Sequence, residues 1–189
     1  MGRPSVREAR RREIIDAFAS VLADHGYAGA TIAAVAGEAG IAPGLVHHHF
    51  KNKEDLLESL FDEMIVRFRR RIASMEANGQ RDQLLAYTDA ALALDATADV
   101  TAARCWVGLF SEAVRSPSLF RRMRRRLDTE LAAIERRSGN TLSSEEAGAI
   151  LAFIIGSLVM GAFAPRETGG FAAPALRRLL RALESTQTP

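Results

Sequence analysis

Apolar residues recur along this chain at spacings of three and four, and the alternating runs that build strands are nearly absent. The first stripe is Ile14, Ile15, Phe18, Val21 and Leu22, one face of a helix that Ser5 and Glu8 open as a capping box and Gly26 ends. Thr31 caps a short second helix with Ile32 and Val35 turned inward. Gly40 marks a tight turn, and Pro43 begins a third short helix ending near Phe50. Asn52 caps a long fourth helix with Leu56, Leu57, Leu60, Phe61, Ile65, Phe68 and Ile72 as its buried stripe; Asn78-Gly79 stops it. One helix then runs around Leu84 to Leu94, and the next carries Val100, Ala103, Val107, Phe110 and Val114 on one face. Ser116-Pro117 starts a helix with Leu119, Phe120, Met123, Leu127, Leu131 and Ile134. Ser143 to Glu146 is a capping box opening a very apolar helix that ends at Pro165, and Pro174 opens the last one. The pattern predicts an all-α chain of about nine helices, three in a small head and the rest in a larger body.

Composition narrows the class. The chain has 189 residues, 48% hydrophobic and 25% charged, enough to bury a core in one large domain or two small ones. A single cysteine, Cys105, excludes an internal disulfide framework and a Cys-rich zinc site. The start has no apolar core of a secretory signal, so a cytoplasmic location is expected. The formal charge of +2 is unevenly spread. Five arginines (Arg3, Arg7, Arg10, Arg11 and Arg12) against one glutamate give the first twelve residues +4, and the rest of the chain carries −2. The only two lysines, Lys51 and Lys53, follow the third helix.

That local positive charge lies beside the most informative stretch, Thr31 to Leu57. Two short helices joined by a glycine turn form a helix-turn-helix, whose second helix enters the DNA major groove. Ala34 and Ala36 give the first helix a small packing side, Gly40 tolerates positive φ, and Ile41 plugs the space between the helices. Pro43-Gly44 keeps the start of the reading helix small so that backbone can approach a duplex. Lys51 and Lys53 are placed to meet phosphate.

The stretch resembles the TetR family of transcriptional repressors. Thr31, Ile32, Val35, Ala36, Ala39, Gly40, Ile41, Gly44, Val46, His49, Phe50, Lys53 and Leu56 match its signature in register. Ala42 stands where the family has a capping serine, and His47 where it has a tyrosine that contacts the DNA backbone. The resemblance implies that Thr31, His47 and Lys53 anchor phosphate, with Arg3 or Arg7 adding contacts from the N-terminal arm. It makes Pro43, Gly44, Leu45 and His48 the candidates to touch base edges. None of these four forms the bidentate Arg–guanine or Asn–adenine pairs, so thymine methyls and DNA shape should carry much of the readout. It further implies a DNA-binding domain at 1–52 and a ligand-binding and dimerisation domain at 53–189. Met64, Phe68, Tyr87, Trp106, Phe110, Met123 and Phe153 are then candidate cavity residues. The dimer interface falls to the last two long helices, through Gly148, Ala152, Ile155, Gly156, Val159, Leu176, Leu179, Leu180 and Leu183. The expected partners are operator DNA, a second copy of the chain and a small-molecule effector, with no cofactor or metal.

Rival readings attach to the same residues. His47, His48 and His49 are consecutive, so on a helix they point about 100° apart and cannot converge on one metal ion. His49 reads as a packed core residue. An all-α enzyme using His47 or His48 would need a nucleophile or acid beside them, and none is arranged there. A ligand-insensitive architectural DNA binder would need no cavity, so a well-filled core would favour it. The 18 uncharged residues from Ala147 to Ala164 just reach the length of a membrane span. Acidic Glu145 and Glu146 at their start and the lack of Trp or Tyr anchors favour a buried helix instead. The basic run Arg115, Arg121, Arg122, Arg124, Arg125 and Arg126 reads as solvated surface with ion pairs.

Overall fold

The computed structural model describes residues 6–77, 82–96, 100–164 and 170–186, with the backbone alone for 93–96 and 183–186. These residues form nine helices and no strand: α1 (Val6–Gly29), α2 (Ile32–Glu38), α3 (Pro43–His49), α4 (Lys53–Ala77), α5 (Gln83–Ala96), α6 (Val100–Ala113), α7 (Pro117–Arg137), α8 (Ser144–Phe163) and α9 (Ala172–Thr186). Ser5, Asn78-Gly79 and Pro165, expected to punctuate three of them, lie outside the described residues.

Local chemistry sets most boundaries. The Thr31 hydroxyl accepts from the Ala34 N–H at 3.1 Å, and the Asn52 side chain accepts from the Asp55 N–H at 2.8 Å. Ser143 and Glu146 close a reciprocal capping box on α8. Gly26 adopts φ +67 and breaks the regular helix, but the chain resumes a last helical turn to Gly29 before stopping. Pro174 lies in the first turn of α9, which begins two residues earlier at Ala172. Two expected core residues are not core. Val114 is 80% exposed because α6 ends at Ala113, and Phe120 is 51% exposed on the outer side of the first turn of α7.

Two apolar clusters hold the fold. One joins Ile14, Phe18 and Leu22 of α1, Val35, Val46 and Phe50 of the short helices, and Leu56, Leu60 and Phe61 of α4 to Cys105 and Leu109 of α6 and Met123 of α7. The core of the head therefore runs without a break into the body. The second cluster packs Tyr87 and Leu92 of α5, Ile150 and Ile154 of α8 and Leu176 and Leu180 of α9 around Ile134. Helix α8 is long and apolar enough to cross a membrane, yet it packs on α5, α6 and α7 through Ala147, Ile150, Leu151 and Ile154.

Candidate nucleic-acid interface and interior cavity

The head presents α3 to solvent on one side only. Val46 is fully buried and Phe50 2% exposed, and this anchoring turns Pro43, Gly44, His47 and His48 outward. Leu45 is half-buried. The turn before α3 is tight: Gly40 has φ +64, and the Ile41 N–H donates to the Ala36 carbonyl at 2.9 Å. Ala42 gives α3 no side-chain cap, so only Pro43 organises its start. A Cβ built on Gly44 would meet nothing within 4 Å. The chain itself has no need of a glycine there.

Cations surround this surface. Arg7 is exposed on the first turns of α1, and Thr31, Lys51 and Asn52 are exposed at the ends of the neighbouring helices; Arg3 lies outside the described residues. Lys53 is half-buried, its ammonium 4.1 Å from the Tyr27 ring centroid and 3.4 Å from the Ala28 carbonyl. Burial lowers its pKa, while the charge of Glu112 works in the opposite direction. The ammonium has three donors, so one contact to Ala28 leaves two for an outside acceptor. His49 is half-buried, and its pKa is pushed below the ordinary value first by burial, then by His48, Arg7, Arg11 and Arg10. The basic end of α1 lies beside the end of α3, with the Arg11 guanidinium 2.7 Å from the His49 carbonyl oxygen.

Arg11 does something that charge counting misses. Its guanidinium donates to the His49 carbonyl and the Ser59 hydroxyl, both at 2.7 Å, and lies 4.1 Å over the Phe50 ring. It ties α1 to the end of α3 and to α4, and so fixes the position of α3. The signal was its place on the edge of the Ile14, Ile15 and Phe18 stripe, one turn upstream.

In the body, α4 to α8 line a partly open cavity of about 70 Å³. Five of the seven expected cavity residues line it: Phe68, Tyr87, Trp106, Phe110 and Met123. Met64 instead lines a neighbouring hollow of about 280 Å³ between α1, α4 and α6, and Phe153 lines neither. Ile155, assigned to a dimer interface by sequence, lines the cavity. Three charged residues share the wall: Arg71, Arg126 and Glu130. Glu130 is 8% exposed, takes a hydrogen bond from the Tyr87 hydroxyl and forms an ion pair with Arg126. Arg126 is thus not the solvated cation its arginine-rich neighbourhood suggests. Burial, and then the charge of Glu130, raises the Tyr87 pKa, which keeps the phenol a donor. The sequence signal was present: Arg126 and Glu130, four apart, interrupt the apolar face of α7 between Met123 and Ile134.

Helix α7 also grips α4 near the head. Arg122 bridges Glu58, at 3.0 Å, and Asp62, and the Ser118 hydroxyl donates to Glu58 at 3.1 Å. Along α8, Ala149, Ala152, Gly156, Met160 and Phe163 form one exposed stripe at helical spacing. Gly148 and Val159 are half-buried beside it, and Leu179 of α9 is 53% exposed. Leu176 and Leu180 are 2% and 4% exposed, packed inside one chain rather than offered to another, because they seat α9 on α5 and α8; the Leu183 side chain lies outside the described residues. Among the described residues no three His, Cys, Asp or Glu side chains cluster as metal ligands.

This head on a helical body defines a helix-turn-helix DNA-binding regulator. Residues 14–60 match the model of the bacterial regulatory proteins of the tetR family. The HTH-type transcriptional regulator BetI of Burkholderia mallei (strain NCTC 10229) is 32% identical over 173 residues, 87% of each chain. BetI of Cronobacter sakazakii (strain ATCC BAA-894) is 31% identical over 144 residues, 72% of this chain and 71% of that one. The chain therefore belongs to the TetR family of transcriptional regulators. Its fold matches a transcriptional regulator from Rhodococcus sp. Rha1 with a TM-score of 0.75 at 23% identity, covering 86% of this chain and 89% of that one. It also matches a transcriptional regulator from Saccharomonospora viridis, solved in complex with choline, with a TM-score of 0.72 at 20% identity, covering 92% and 96%.

Proposed function

We propose that the protein is a homodimeric repressor released from a palindromic operator in the cytoplasm by a small-molecule ligand. Residues 1–52 read DNA, and 53–189 bind the ligand and dimerise. Pro43, Gly44, Leu45 and His48 approach base edges, while Thr31, His47, Lys51, Lys53, Arg7 and Arg3 hold phosphates. A two-fold dimer sets two α3 helices about 34–36 Å apart, one turn of B-DNA.

The observation that carries this reading is the course of α4. Its first residue, Lys53, is separated from α3 by only three residues, and its later turns supply Ile65, Phe68 and Arg71 to the cavity wall. Whatever shifts that wall tilts the reading head. Arg122 and Ser118 add a second grip from α7, which also lines the cavity. A ligand acts only through preferring the spread arrangement to the DNA-competent one. The exposed apolar stripe of α8 supports dimerisation, because a contiguous apolar surface usually marks a protein contact.

Selection from a random duplex pool tests the proposal. The enriched sites should be inverted repeats whose half-sites centre about 10 base pairs apart. Enriched sites without two-fold symmetry would remove the dimeric reading, and no enrichment at all would favour an architectural binder.

A further inference from the structure

Apart from the interior cavity, we infer that an open cleft between α4 and α7 binds a small molecule carrying a phosphate monoester. The cleft has a volume of about 300 Å³. Four guanidiniums line it, Arg69 of α4 and Arg126, Arg136 and Arg137 of α7, against two carboxylates, Glu76 and Glu130. Both carboxylates are already engaged. Glu76 pairs with Arg137 at 3.6 Å across the two helices. Glu130 pairs with Arg126 and accepts from the Tyr87 hydroxyl. Arg69 and Arg136 are left over: both are exposed, and neither makes an ion pair or a hydrogen bond with a described residue. Among the side chains that line the cleft, the charge is therefore positive by two.

The chain bears a cost for that surplus. Burial lowers the Arg126 pKa, the charge of Glu130 works against this, and the like charge of Arg69 lowers it further. A bound anion relieves the repulsion. A phosphate monoester suits the surplus best, because it carries a charge of about −1.5 to −2 near neutral pH and three strong acceptor oxygens. Planar guanidinium forks donate to such a group in pairs. A carboxylate brings half the charge and one oxygen fewer. The cleft is wider than a phosphate alone needs, which leaves room for the esterified body. Tyr87, Arg126 and Glu130 line the interior cavity as well, whereas Arg69 and Arg136 line the cleft and not the cavity. Substituting those two therefore tells the two hollows apart.

The full chain is titrated by calorimetry with phenyl phosphate and with benzoate at about pH 8, where the ester is a dianion. Thermal melting is followed in parallel. Phenyl phosphate should bind once per protomer, about tenfold more tightly than benzoate. The double variant Arg69→Gln, Arg136→Gln should bind phenyl phosphate about tenfold more weakly and lose the rise in melting temperature that the ester gives the native chain. Without ligand it should melt as the native chain does, since neither side chain holds the fold. Arg7→Ala, which removes a cation of the DNA-binding head, should bind phenyl phosphate as the native chain does. Equal affinities for the two probes would overturn the phosphate. Unchanged affinity in the double variant, or a loss in Arg7→Ala instead, would overturn the cleft. A double variant that melts lower without ligand would show the two arginines already engaged and would overturn the surplus charge on which the site is built. Absence of phenyl phosphate binding would overturn the site and leave the reading of the interior cavity standing.

Discussion

Gly44→Ala separates what the fold needs from what DNA needs. Gly44 is the second residue of α3, exposed, and absent from the residues with positive φ. The added methyl would meet no atom of the chain within 4 Å. Alanine has the better helix propensity and restricts the unfolded chain, so folding should gain about 0.4–1 kcal/mol. In a chain of this size that raises the melting temperature by about 1–4 °C. DNA binding should move the other way. If the α3 backbone at Gly44 lies against a duplex, a methyl there pushes the reading helix off its seat. A loss of at least about 1.4 kcal/mol, tenfold in Kd, is expected. Melting curves and fluorescence anisotropy on a duplex selected by the native chain measure the two effects. A variant that melts higher and binds with unchanged affinity would refute close backbone approach at α3. One that melts lower would refute the claim that the chain leaves this position open.

Lys53→Ala should lower the slope of log affinity against log salt by about one unit on every duplex, measured by salt titration. The same variant should cost about 0.5–1 kcal/mol of stability, because it removes the ammonium from the Tyr27 ring. Gly156→Leu should leave the protomer folded, since a Cβ at Gly156 meets nothing within 4 Å, yet convert dimer to monomer in sedimentation. An intact dimer would remove α8 from the interface. His49 has a pKa held below its ordinary value, so the unfolded chain takes up the proton more readily than the folded one. Stability should therefore be fully present above about pH 6.5 and decline as pH falls below it. Denaturant titrations should show that decline reduced in His49→Gln, and equal declines in both proteins would contradict the assignment.

The head was legible in the sequence because its determinants are local. Thr31, Gly40, Pro43 and Asn52 act within one turn of their own positions, through a cap, a positive φ, a fixed φ and another cap. The nine helices of the described residues followed from spacing, and errors came where an apolar residue overran a helix end, as Val114 does, or sat on the outer face of a first turn, as Phe120 does. Residue type also pointed to Phe68, Tyr87, Trp106, Phe110 and Met123, since large side chains with few alternatives gather wherever helices leave a gap.

Charged residues were different, because a charge specifies no partner. Arg7 and Arg11 look alike in the sequence, four apart at the same basic end. Only the approach of α3 and α4 turns Arg11 into a clamp on His49, Phe50 and Ser59 and leaves Arg7 exposed. The packing of α4 and α5 against α7 likewise decided that Arg126 and Glu130 face inward with Tyr87. By itself the sequence determined the helices, the turn and the exposed face of α3, because propensity, capping and period act over a few residues. Tertiary structure decided which charged residues line the cavity and which leucines of α9 were already used, because both depend on side chains brought together from distant parts of the chain.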